Sequence, residues 1–214
     1  MNPQFCFILV FVLLAIIMIV LDRKYGILRD ISTANKKPYS YSRVQLAWWT
    51  VIVLASFIAI LIIKCEVPTF DSSQLILLGI TAATTASAKL IDLSDENNPA
   101  VLSRGQDSDS VNFILDILSD ENGPNLQRFQ AVVFNLVFGI WFIIKVIHNI
   151  DIVQNPSMIM PVLADNNLIL IGLSSGTYAA LKATENKSVP SPPPPPPQNP
   201  PAGSVTNGNS SVSS

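Results

Sequence analysis

Apolar runs of helix length recur along the chain, separated by polar segments. A bilayer core of roughly 30 Å takes about 20 apolar residues in helical form, and five stretches meet that need. Phe5 to Leu21 is wholly apolar, whereas Leu46 to Ile63 and Ala131 to Ile147 are interrupted only by residues such as Thr50, Asn135 and Lys145. Leu75 to Ile91 and Leu168 to Leu181 are diluted with Gly, Ala, Ser and Thr. The pattern predicts an all-α, polytopic helical membrane protein with five transmembrane helices.

An internal repeat supports the two diluted stretches. Residues 68–89 read PTFDSSQLILLGITAATTASAK, and 93 residues later 161–182 read PVLADNNLILIGLSSGTYAALK without a gap. The preceding spans match at an offset of 85, Arg43 and Gln45 answering Arg128 and Gln130, and Phe57-Ile58 answering Phe142-Ile143. Each unit reads as a helical hairpin. Two crossings separate the units, so both point the same way, a parallel repeat about an axis along the membrane normal. The expected organisation is a transmembrane anchor (1–22), a basic loop (23–45), a first hairpin (46–91), an acidic loop with an amphipathic helix (92–128), a second hairpin (129–183) and a tail (184–214). The tail, with six prolines from Pro192 to Pro197 and otherwise mostly Ser, Asn and Gly, is expected to be disordered, since no core can form from it.

Composition agrees with a bilayer as solvent: 49% of residues are hydrophobic and only 13% charged, too few polar groups to coat a soluble globule. The net charge of −2 argues against a nucleic-acid partner. It conceals two opposed loops. The 23–45 segment carries Arg23, Lys24, Arg29, Lys36, Lys37 and Arg43 near Asp22 and Asp30, and residues 90–127 carry eight acids against Arg104 alone. By the positive-inside rule the basic loop is cytoplasmic. The N-terminus then lies outside, the C-terminus is cytoplasmic, and eleven of the thirteen basic residues fall inside. Lys64 and Lys145, the two outside, sit at helix ends where a lysine can snorkel. Tyr39, Tyr41, Trp48 and Trp49 are expected to form a cytoplasmic interfacial belt.

At four-residue spacing the third span shows Gly79, Ala83 and Ser87, and the fifth shows Gly172, Gly176 and Ala180. In lipid, close backbone approach along such faces drives helix association, so these six are the expected helix-packing residues. Leu77 and Leu170 fall on roughly the opposite face and are expected to accept Ile or Met. Thr84 and Thr177 also match between repeats; they either bond their own backbone or line a pore. The polar trios Ser72-Ser73-Gln74 and Asp165-Asn166-Asn167 read as helix N-caps. In the acidic loop, Val111, Ile114, Leu115 and Leu118 recur at i, i+3, i+4 and i+7, an amphipathic helix. With Asp116 and Asp120 at its border, Ile114, Leu115 and Leu118 form the candidate partner surface, docking on the basic first loop being the rival arrangement.

Chemistry of the catalytic kind has little to work with. One histidine and two cysteines leave no material for a triad or a zinc site, and the spans contain no acid. No catalytic, cofactor-binding or metal-binding residue is expected, and no enzyme activity. Cys6 and Cys65 both fall toward the external side, where a disulfide is conceivable.

The strings RVQLAWWTVIV, LILLGITAATTASAKLID, FILDILSDENGPNLQRFQ and LILIGLSSGTYAALK together resemble an uncharacterised group of bacterial multi-pass membrane proteins, over roughly residues 40–185. The resemblance implies a bacterial inner-membrane setting and no mechanism. Two functions are then expected to compete: a non-enzymatic anchor or scaffold presenting the acidic loop to another protein, and a small homo-oligomeric channel or pore-forming effector.

Overall fold

The computed structural model describes residues 2–32, 34–96, 109–120 and 123–185. The tail from residue 186, the segment 97–108 and the pair 121–122 lie outside the described residues, as do the side chains of Asp120, Thr177 and Ala180. The elements are α1 (Pro3–Tyr25), α2 (Tyr41–Lys64), α3 (Ser72–Glu96), a short α4 (Phe113–Leu118), a two-residue hairpin of β1 (Ser119–Asp120) and β2 (Gly123–Pro124), α5 (Leu126–Ile152) and α6 (Asp165–Glu185). Four helices, α1, α2, α3 and α5, are long and apolar enough to cross a membrane. Helix α6 has the length, but Gly, Ser and Thr dilute its apolar stretch.

Capping chemistry sets the helix ends, so the helices overrun the apolar runs. Asn2 caps α1 through the Gln4 N–H, Pro3 occupies the first turn, and Gly26 closes the helix at φ 63°, where a Cβ would be strained. Helix α3 starts from a capping-box arrangement: Asp71 Oδ1 accepts from the Ser73 N–H at 2.8 Å, while Gln74 Oε1 accepts from the Asp71 N–H. The Ser73 N–H is the first cause holding the Asp71 carboxyl below its ordinary value of 3.8. The cap is thus Asp71, one residue before the expected trio, and the free ends of Ser73 and Gln74 tie the hairpins together. Gln74 Nε2 donates to the Pro161 carbonyl at 3.0 Å, and Ser73 Oγ accepts from the Leu163 N–H at 3.1 Å.

Helix α2 runs parallel to α5, and α3 runs parallel to α6. Gln45 and Trp49 near the start of α2 meet Asn135 near the start of α5, and Trp49 also packs edge-on against Phe142. Likewise the start of α3 bonds to the residues leading into α6, and Ile80 lies 3.5 Å from a Cβ built at Gly172. The core is centred on Trp49, Ile52, Ile60, Leu77, Phe142, Ile150 and Ile171, with Phe7 of α1 beside it. Outside it, α1 exposes Leu9, Leu13, Ile16 and Val20, and α5 exposes Leu136, Val137 and Ile144. Such an apolar exterior is compatible with a hydrocarbon surround.

The aromatic residues near the start of α2 depart from the expected belt. Trp49 is fully buried and Tyr41 nearly so, because their polar atoms find a partner inside the bundle. Cys6 is buried and Cys65 exposed, and both are free thiols.

Candidate functional site

An amide clasp joins three helices. Asn135 of α5 accepts at Oδ1 from Trp49 Nε1 at 2.7 Å and from Gln45 Nε2 at 3.1 Å; its Nδ2 donates to Tyr41 Oη at 3.0 Å and to the Ala131 carbonyl at 2.8 Å. Gln45 Nε2 also donates to Ser175 Oγ of α6 at 2.8 Å. Trp48 Nε1 donates to the Asn135 carbonyl at 3.1 Å. The amide orientations are forced. An indole N–H only donates and a backbone carbonyl only accepts, so Asn135 must face Oδ1 toward Trp49 and Nδ2 toward Ala131. Gln45 must then offer Nε2 to Asn135. Its Oε1 is consequently left over, and among the described residues it is the one buried side-chain oxygen or nitrogen without a hydrogen-bond partner. In the sequence Asn135 stood out only as an interruption and Gln45 only as a repeat match; an Asn within an apolar span is nevertheless the signal for an interhelical hydrogen bond.

Glycine placement differs from expectation. The close approach in the bundle is at Gly139, where a built Cβ would lie 2.6 Å from Trp48 Cε2 and 2.7 Å from Cζ2. Gly79 and Gly176 have nothing within 4 Å, and Gly172 meets only Ile80. Within one chain α3 packs through Leu77, Thr81, Thr84 and Ala88, leaving Gly79, Ala83 and Ser87 exposed. This corrects the face assignment: Leu77, expected on the tolerant side, is fully buried. In lipid both leucine and small residues can face either way, so the pattern alone leaves the inward face undefined. Thr84 Oγ1 donates to the Ile80 carbonyl at 2.8 Å and Ser174 Oγ to the Leu170 carbonyl at 2.9 Å, the backbone-bonded alternative to a pore lining.

Above the clasp, the 26–40 loop and the described 109–118 segment of the acidic loop form one layer. Within the first loop Arg29 bridges to Tyr39, its guanidinium 4.6 Å from the ring centroid. The 109–118 segment lies on it: Ser110 N–H donates to the Lys36 carbonyl at 2.8 Å, and Lys36 N–H to Asp109 Oδ1 at 3.1 Å. Asp116 holds the contact, its Oδ2 accepting from the Tyr39 N–H at 3.2 Å and from Ser110 Oγ, and its Oδ1 from the Val111 N–H. Phe113 sits edge-on to Tyr39 at 5.0 Å. The carboxylate expected to border a partner surface is thus spent inside the protein. Of the apolar residues of α4, Ile117 points inward and Leu118 is half-buried, while Ile114 and Leu115 are exposed, Ile114 by 62%. Phe113 and Ile117 also roof an apolar cleft of about 270 Å³ beside Tyr41, Trp48 and Val132.

Among the described residues no three His, Cys, Asp or Glu side chains gather as a metal set. The arrangement is one of positioning: an amide clasp fixes the helices, and a carboxylate fixes a short helix on their end. The chain matches no protein-family model, no curated protein and no solved structure.

Proposed function

We propose that this chain is a non-enzymatic, multi-pass membrane scaffold that presents α4 to a partner protein at the cytoplasmic face of a bacterial inner membrane. In this reading the hairpins 46–91 and 129–183 are tandem repeats and α6 is a fifth crossing. Support for the fifth crossing is its course: α6 starts level with α3 and lies beside it, so a slab that α3 spans encloses α6 as well. The parallel pairing of α2 with α5 and of α3 with α6 fits a repeat axis along the membrane normal. The basic first loop assigns the layer to the cytoplasm, with the N-terminus outside.

One observation carries the scaffold reading. Asp116 and Ile117 immobilise α4 while Val111, Ile114 and Leu115 stay exposed, and a pre-ordered apolar surface binds at less entropic cost than a mobile one. Apart from that layer, the exposed Gly79, Ala83 and Ser87 face favours a second copy of the chain as its neighbour in lipid. A photoreactive residue at Ile114 in living cells tests the scaffold. Cross-links to a second, different protein are expected, and they should be lost when Asp116→Ala frees the helix. Products that are exclusively intramolecular would overturn the reading.

A further inference from the structure

At the helix ends that carry the 26–40 loop, a cleft of about 380 Å³ opens between α1, α2 and α3. Its walls are apolar: Met18 from α1, Leu28 from the loop, and Leu46 and Ala47 from α2. Two cations line it as well, Arg43 at the start of α2 and Lys89 near the end of α3. A third contact brings them together. Thr85, one turn before Lys89, donates its hydroxyl to the Ser42 carbonyl at 3.1 Å, fastening α3 to α2 beside Arg43. Among the described residues no carboxylate lines the cleft. Of the acids near its lining in sequence, Asp22 and Asp92 are buried and Asp30 is half-buried; Asp22 Oδ1 accepts from the Leu28 N–H at 3.0 Å, and Asp30 and Asp92 are already engaged.

We propose that this cleft is a binding site for one anionic phospholipid, its phosphate held between Arg43 and Lys89 and its first methylenes lying against Met18, Leu46 and Ala47. The joint demand of the walls selects this ligand. Two cations without a neutralising acid favour a phosphate, and the same absence leaves nothing to receive the ammonium of a zwitterionic headgroup. An apolar wall running along membrane helices gives the chain of the lipid a place that a free anion cannot use. The volume holds roughly a dozen groups of about 30 Å³ each, enough for a glycerophosphate and the start of one acyl chain. The first turn of α2, with its outward N–H groups, adds to the positive potential. The site does not depend on whether α4 meets a partner.

Native mass spectrometry of the delipidated full chain in detergent tests it, with dioleoyl phosphatidylglycerol, dioleoyl phosphatidylcholine and inorganic phosphate as probes. One phosphatidylglycerol per chain is expected to bind at least roughly tenfold more tightly than phosphatidylcholine, as two surface cations warrant. Inorganic phosphate at equal concentration should not displace it. Arg43→Gln with Lys89→Gln should abolish the preference, whereas Arg43→Lys and the distant Lys145→Gln should keep it. Ala47→Phe leaves both cations and fills the apolar wall, so it should weaken phosphatidylglycerol binding even if the double variant fails to fold. Equal binding of the two lipids, displacement by inorganic phosphate, an unchanged phosphatidylglycerol affinity in Ala47→Phe, or an unchanged preference in the folded double variant would overturn the proposal.

Discussion

Asn135 satisfies four side-chain and backbone groups with a single amide, so its loss strands the Trp49 indole N–H and takes one of two bonds from the Gln45 amide. Replacing it with Leu leaves the Trp49 indole N–H and one Gln45 amide bond unmet in a dry interior, a cost of about 1–3 kcal/mol. Gln45→Met removes an amide that is itself half-satisfied, and Asn135 keeps Trp49 as its donor. Thermal unfolding in detergent should therefore show a clear drop for Asn135→Leu and a smaller one, below about 1 kcal/mol, for Gln45→Met. The glycines give a second contrast. Gly139→Ala pushes a methyl into an indole that its own hydrogen bond to Asn135 holds in place, which should cost about 1–3 kcal/mol. In dilute detergent, where the single chain is measured, Gly79→Ala should stay within about 0.5 kcal/mol, since a Cβ there meets nothing of its own chain. Sequence spacing marked Gly79 and passed over Gly139, because a repeat advertises itself whereas one glycine facing one tryptophan leaves no pattern.

The helices themselves were readable: apolar length located α1, α2 and α5, and the repeat supported α3 and pointed to α6, of which α3 is apolar enough to cross. Their ends were not, since Asp71, Asn125 and Gly26 fix them by local hydrogen bonds and backbone conformation outside the apolar runs. The amphipathic stripe Val111, Ile114, Leu115 and Leu118 located α4, but the buried residue is Ile117. A helix of six residues is too short for periodicity to define an inward face; here Asp116, bonded to Tyr39 and Ser110, orients it instead. Asp116→Ala should release the layer without unfolding the bundle. Hydrogen exchange at the Tyr39 and Val111 amides should quicken by roughly tenfold or more, as expected for a lost charge-assisted hydrogen bond, while the amides of α2 and α5 stay protected. Unchanged exchange at Tyr39 would mean that Phe113 and the Lys36 contacts suffice to hold α4.

Taken as one object, the molecule has an apolar outer belt, a clasped centre, and on one end a layer of the 26–40 loop and the 109–118 segment. Opposite charge in the two loops was visible in the sequence; their direct docking was one of two arrangements it allowed, because charge balance does not say whether the partner is internal. The scaffold account requires that layer and the C-terminus to share a side, which holds only if the chain crosses the membrane five times. Sided cysteine labelling in intact cells decides the matter. With Cys6 replaced by Ala, the exposed Cys65 between α2 and α3 should react with an impermeant maleimide. In a background lacking both native cysteines, Ser204→Cys should react only after the membrane is permeabilised. Labelling of Ser204→Cys in intact cells, or protection of Cys65, would contradict the account.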